Sequence, residues 1–291
     1  MGKVKTGSLF TGVGGLDKGL LAAISGAELA WNVEIDPYNR RVLRRHHPDA
    51  ESFDDVRTVG AACLVRVHVL SGGFPCQDLS AANAGGRGLD GSKSGLWREM
   101  FRVIRELRPL VVVIENSPRL VGRGLDQIVA QLDSIGFEVE GTRLAARDVG
   151  APHLRVRLFI VARLRFGVCS AAVADPDGEQ LRPQQGRGES ERTGQAELDG
   201  LREGMGAAWG RGGSSEPGVA GGADGDAAWL DGARWPRRQG VAQHDWEPPR
   251  MVAARSIPHR TARAKAAGNA VVPQCAYIVG CRVRQHLEAS W

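Results

Sequence analysis

Four groups of residues in this 291-residue chain have types and spacings that suit chemistry. The run Gly72-Gly73-Phe74-Pro75-Cys76-Gln77 puts a cysteine straight after a proline, at the end of the apolar stretch Val65 to Ser71. Buried cysteine is usually a small hydrophobe. Here the flanking glycines and Pro75 predict a stiff loop edge, where N–H dipoles or arginines can stabilise a nucleophilic thiolate. The second group is Glu115-Asn116, led by Val111-Val112-Val113-Ile114. A carboxylate ending such a strand is partly desolvated. Its pKa rises, which suits a group that holds or shares a proton at neutral pH. The third is Phe10-Thr11-Gly12-Val13-Gly14-Gly15, after a short strand and before a helical pattern. Glycines let the backbone approach a ligand, and the helix start offers free N–H groups. This loop alone fits nucleotide oxidoreductases, methyltransferases and plain tight turns. Glu34, one βα unit downstream, is placed for ribose hydroxyls; a solvated strand-end charge is the plain alternative. The fourth is Arg155-Val156-Arg157, whose like-facing guanidiniums suit a carbonyl, carboxylate or phosphate, or make an ordinary basic edge.

The elements that must position these groups are legible over residues 1–165. Strands are expected at Val4 to Phe10, Leu29 to Ile35, Val65 to Ser71, Leu110 to Ile114, Glu138 to Leu144 and Val156 to Ala162, with a short segment near Glu51 to Phe53. Helical spacing covers Leu16 to Ile24, Trp97 to Leu107 and Ile128 to Ile135, and Asp36-Pro37 opens another helix. Strand–helix alternation predicts an α/β fold with a doubly wound, mostly parallel sheet. Ligands then bind at the carboxyl ends of the strands, where Cys76, Glu115 and the glycine loop all fall.

The character changes near Gly167. From there to Pro249 no Ile, Phe, Tyr or Lys occurs, yet four of the seven tryptophans do: Trp209, Trp229, Trp235 and Trp246. Composition supports a low-complexity insertion, or a loop-rich module using Arg and Trp against a polyanion. Order resumes near residue 250, and a helix is expected from Cys275 to Leu287. This gives a catalytic and cofactor-binding domain at 1–165, a smaller irregular region at 166–248, and a C-terminal segment at 249–291 that returns to the first. The formal charge of +5 permits a nucleic-acid partner without requiring one. Five cysteines without a C-x-x-C pair indicate neither a disulfide framework nor a zinc site, and no metal is expected. A reducing cytoplasm is the expected compartment. No apolar run reaches membrane-span length.

Taken in order, the motifs resemble the DNA (cytosine-5)-methyltransferase family in its compact bacterial or phage form. The resemblance rests on Leu9-Phe10-Thr11-Gly12-Val13-Gly14-Gly15, Gly73-Phe74-Pro75-Cys76-Gln77-Asp78-Leu79-Ser80, Glu115-Asn116, Arg155-Val156-Arg157 and Gly268-Asn269-Ala270-Val271-Val272-Pro273. It covers residues 4 to about 163 and about 249 to 287. It implies methyl transfer from S-adenosylmethionine to C5 of cytosine in a specific double-stranded DNA sequence, on a flipped base. Cys76 would add to C6, making C5 nucleophilic. Glu115 would hydrogen-bond N3 and the 4-amino group. Arg157, helped by Arg155, would hold the O2 side, and Asn116 would brace the Pro75-Cys76 loop. For the cofactor, the resemblance implies Phe10 at the adenine, Gly12, Gly14 and Gly15 at the methionine end, and Glu34 at the ribose. Asp55 and Val56 would meet the adenine, Leu96 would close over it, and Asn269 and Ala270 would reach the amino-acid part.

The resemblance also turns the middle region into the target-recognition region and favours DNA contact for part of it. Gln77 and Ser80, then Arg87 and Lys93 in a glycine-rich loop, are candidates for DNA contact, as are Arg234, Arg237 and Arg238. A monomer is expected, with double-stranded DNA as substrate and a cognate restriction endonuclease acting separately. The alternatives are an RNA (tRNA) cytosine-5 methyltransferase and a non-catalytic DNA-binding regulator; a dinucleotide oxidoreductase rests on the glycine loop alone. Ser8, His68, His153 and Ser117 depart from the family pattern, and Ser8 replaces a usual acidic residue beside the cofactor loop.

Overall fold

The computed structural model describes residues 3–75, 95–165 and 259–289. In chain order the first elements are β1 (Val4–Leu9), α1 (Gly15–Ala23), β2 (Ala27–Val33), α2 (Pro37–His46), β3 (Glu51–Phe53) and β4 (Val69–Gly72). After these come α3 (Gly95–Leu107), β5 (Val111–Asn116), α4 (Leu125–Ser134), β6 (Phe137–Ala145) and β7 (Val156–Leu164). The last two are α5 (Arg260–Asn269) and α6 (Pro273–Glu288). Among the described residues the seven strands form one sheet, ordered β3-β2-β1-β4-β5-β7-β6. The first five are mutually parallel. β7 runs antiparallel to both β5 and β6. The fold is thus α/β with a mixed, mostly parallel sheet.

Alternation along β5 explains the layering. Successive side chains point to opposite faces. Val111 and Val113 join Leu16, Leu20, Val279 and Val283 of α1 and α6 in one core. Val112 and Ile114 join Met100, Ile104, Ile128 and Leu132 of α3 and α4 in the other. Both faces are covered, which is why Val111 to Ile114 reads as an unbroken apolar run.

Local chemistry sets the element ends. Asp36 caps α2, its carboxylate accepting from the Tyr38 N–H at 2.9 Å, with Pro37 in the first turn. Gly136 takes a φ of +86° between α4 and β6. The strand expected from Val65 begins instead at Val69. Val65 is exposed, and its carbonyl accepts from the indole N–H of Trp31 at 3.0 Å, so it is unavailable to the sheet. Helix α5 had no sequence expectation. The irregular region expected at 166–248 lies outside the described residues.

Helices α1 and α6 meet at bare backbone. A Cβ added at Gly19 would lie 2.3 Å from the Pro273 carbonyl oxygen, and one at Gly280 would lie 2.6 Å from the Ala23 Cβ. Helix propensity alone would make Gly19→Ala stabilising by about 1 kcal/mol. The contact reverses the sign, because backbone cannot rotate away. Gly19→Ala should therefore destabilise the chain by about 1–3 kcal/mol in urea unfolding. A gain in stability would contradict this packing.

Candidate active site

The glycine loop is built on alternating left-handed residues. Phe10, Gly12 and Gly14 have φ of +54°, +61° and +81°. Glycine takes such values freely, whereas Phe10 is strained. Thr11 holds the turn, its hydroxyl lying 3.2 Å from the carbonyls of both Ser8 and Val33. Glu34, 7% exposed at the end of β2, accepts the Gly12 N–H at 2.7 Å and the Asp36 N–H at 2.8 Å. A carboxylate has about four acceptor sites, so capacity remains for a ligand. A Cβ at Gly12 would face open space, so a hollow lies against the backbone there. The cavity is lined by Ser8, Phe10, Gly12, Gly15, Gly73, Glu115, Asn269 and Ala270, among others. It therefore joins the glycine loop, the strand-end carboxylate and the C-terminal segment.

Glu115 and Asn116 diverge because they are consecutive in a strand. Asn116 donates through Nδ2 to the Phe74 carbonyl at 3.1 Å and accepts the Ser117 N–H at 2.8 Å. It thereby holds the loop through Pro75 that leads to Cys76. Glu115 Oε1 lies 2.9 Å from Arg157 Nε. Burial pushes the Glu115 carboxyl up from the ordinary range, and the Arg157 and Arg155 charges oppose that rise. A Cβ at Gly73 would sit 2.9 Å from Glu115 Oε2, so a side chain there would push the carboxylate from its place.

Arg155 has different partners from those expected. Its guanidinium donates to the carbonyls of Gly268 at 2.8 Å and Ala270 at 2.9 Å. It fastens the C-terminal segment to the start of β7, and its charge still acts on Glu115. Val56 is buried in the core, and its carbonyl accepts from Arg102 at 3.0 Å. Asp55 caps the turn Val56–Thr58 and is clamped by the Arg57 guanidinium, which holds its carboxyl below the usual range. Leu96 lies in the first turn of α3, half-buried against the core. Cys76, Gln77, Ser80, Arg87, Lys93, Arg234, Arg237 and Arg238 lie outside the described residues. Of the described cysteines, Cys275 is buried with its thiol pushed up to about 12, which makes it inert at neutral pH.

Two residues escaped the sequence reading. Ile35, 66% exposed, directly follows Glu34, and its carbonyl accepts from Arg40 at 3.1 Å. Asp17 is 2% exposed and accepts from Ser8 Oγ at 3.0 Å and Ser71 Oγ at 2.8 Å. Its signal was a carboxylate three and four residues before Leu20 and Leu21, on the apolar stripe of α1. Two of the departures also find partners. His68 Nδ1 accepts the Lys5 N–H at 2.9 Å, and Ser117 caps the turn Pro118–Gly122.

The chain is similar to known proteins. Residues 4–182 match the family described as C-5 cytosine-specific DNA methylase. The chain is 32% identical over 169 residues to Type II methyltransferase M2.BsuMI of Bacillus subtilis (strain 168), covering 55% of this chain and 42% of that one. It is 30% identical over 164 residues to Type II methyltransferase M.NlaX of Neisseria lactamica, covering 55% and 52%. It spans about half the length of these relatives. The crystal structure of S. pombe Dnmt2 methyltransferase aligns over 56% of this chain and 52% of that chain, at 19% identity and a TM-score of 0.49. The family match extends over more than half of the sequence, and the chain belongs to the C-5 cytosine-specific DNA methylases.

Proposed function

We propose that this chain transfers a methyl group from S-adenosylmethionine to C5 of cytosine in a specific double-stranded DNA sequence, through a covalent bond between Cys76 and C6 of a flipped base. The observation that carries this reading is the pairing of Glu115 with Arg157 beside the braced loop that leads into Cys76. A cytosine ring presents N3, a 4-amino group and O2 along one edge. A protonated carboxyl beside a guanidinium matches that edge with donors and one acceptor. Glu115 would meet N3 and the amino group, and Arg157 would meet O2. Protonation at N3 offsets the charge that builds as Cys76 attacks C6. Once C5 carries the methyl group, its proton is lost to solvent, Cys76 is eliminated from C6, and the N3 proton returns to Glu115, which restores the ring.

The residues at the glycine loop fit the cofactor. The hollow at Gly12 admits a ligand against backbone, and Asn269 and Ala270 wall the same cavity. Phe10 and Ile35 offer apolar surface for an adenine, and Glu34 retains acceptor capacity for ribose hydroxyls. Asp55 and Val56 would contribute from the turn after β3, and Leu96 from α3. Gly14 and Gly15 keep the backbone close, since a Cβ at Gly15 would strike the Val271 carbonyl at 2.3 Å. Bound S-adenosylmethionine supplies an electrophilic methyl group.

The experiment is transfer of labelled methyl from S-adenosylmethionine to unmethylated plasmid DNA, with nucleoside analysis of the product. Label in 5-methylcytosine, absent with Cys76→Ala, is expected. Transfer to tRNA and not to duplex DNA would overturn the DNA reading. Glu115→Ala should lower the transfer rate by about 10²–10⁴-fold.

The raised Glu115 carboxyl also sets a pH dependence. Its protonated form is present below its pKa and is lost as pH rises through it. Activity should therefore fall on that alkaline side. Glu115→Gln, which stays neutral, should be slower and should lose the alkaline limb. An unchanged limb in the Gln variant would assign the titration to another group.

A further inference from the structure

Three carboxylates gather at the carboxyl edge of the sheet, and they are satisfied in different ways. Glu34 is met by two backbone N–H groups. Glu115 is met by Arg157. Asp17 is met by two hydroxyls and, among the described residues, touches no cation. It is also the most deeply buried of the three. Both of its carboxylate oxygens accept a hydroxyl proton, as the ionised form requires, so the anion is held there at a cost in folding stability. Burial pushes its carboxyl up, and Ser71, Ser8 and the His47 charge act in the opposite direction.

Its placement says where the charge is felt. Asp17 lies in the first turn of α1, where the helix dipole favours a negative group. Its partner Ser8 is part of the cavity wall, and its other partner, Ser71, directly precedes Gly72, also in that wall. One carboxylate therefore ties β1, which carries the glycine loop, to β4, which carries the loop leading to Cys76. It stands one side chain behind the cavity.

We infer that Asp17 is a positioning residue that also acts as the counter-charge of the cofactor site, and so favours the cationic methyl donor over the spent, neutral product. This rests on the reading of the cavity as an S-adenosylmethionine site. S-adenosylmethionine carries a sulfonium charge, which S-adenosylhomocysteine lacks. An anion behind the wall strengthens binding of the first and leaves the second nearly unaffected. It thereby assists exchange of product for fresh donor. A brace without charge selection would affect both ligands alike.

The test is calorimetric binding of S-adenosylmethionine and S-adenosylhomocysteine to the full chain, with no turnover involved. In Asp17→Asn, affinity for S-adenosylmethionine should fall about tenfold, the scale of one partly screened charge. Affinity for S-adenosylhomocysteine should change less than about threefold. Two exchanges of the partners, S8D/D17S and S8N/D17S, differ by the charge alone and serve if Asp17→Asn does not fold. S8D/D17S should keep the wild-type ratio of the two affinities, and S8N/D17S should lose it by about tenfold. Equal weakening of both ligands, or an unchanged ratio throughout, would overturn the inference. Wild-type protein that binds neither ligand would instead refute the cofactor reading on which it rests.

Discussion

A carboxylate buried at the end of a strand must be neutralised, and the site follows from how the chain does this for Glu115. Removing one partner of a buried ion pair commonly costs about 3–5 kcal/mol, because the other charge is stranded. The parallel neighbour, β4, ends in Gly72, followed by Gly73, and offers no side chain there. The partner comes from the antiparallel strand. β7 runs back along β5, with Glu115 opposite Phe159, so the start of β7 lies at the carboxyl edge. Residues at a strand beginning, Arg155 and Arg157, thus join residues at strand ends. The reversed strand in an otherwise parallel sheet is what completes the site.

The remaining constraints hold that edge together. Strand alternation sends Glu115 towards the α1 and α6 face and Asn116 towards the opposite face. One side chain enters the cavity while its neighbour fixes the Phe74 carbonyl. Arg155 fastens the segment around Ala270, and Lys265 of α5 reaches Asp36 at 3.0 Å beside Glu34. The C-terminal segment is therefore pinned both to the start of β7 and to the start of α2. Close approach at Gly15, Gly19 and Gly280 seats α6 on α1. Packing of α1 against the C-terminal segment thus sets the position of Asn269 and Ala270 in the cavity wall.

Much of this was legible in the residues. Val111 to Ile114 reads as a doubly buried strand because both faces are covered. Asp36-Pro37 reads as a helix start because the cap and the proline act locally. What escaped was non-local. The early start of the expected Val65 strand failed because an indole 34 residues away takes the Val65 carbonyl. Arg155 pairs with carbonyls 113 and 115 residues later, which no local spacing encodes. Asp17 was hidden in a helix whose apolar stripe drew attention to its leucines. Its meaning appears only when Ser8 and Ser71, from two different strands, close around it.

The most direct measurement is base-resolution mapping of 5-methylcytosine in the genome of a methylation-free host expressing this chain beside its Cys76→Ala variant. Methylation at a recurring short sequence, absent with the variant, is the expected result and would establish reaction and nucleophile together. A genome left unmethylated by folded, cofactor-binding protein, or methylation that persists without the Cys76 thiol, would contradict it.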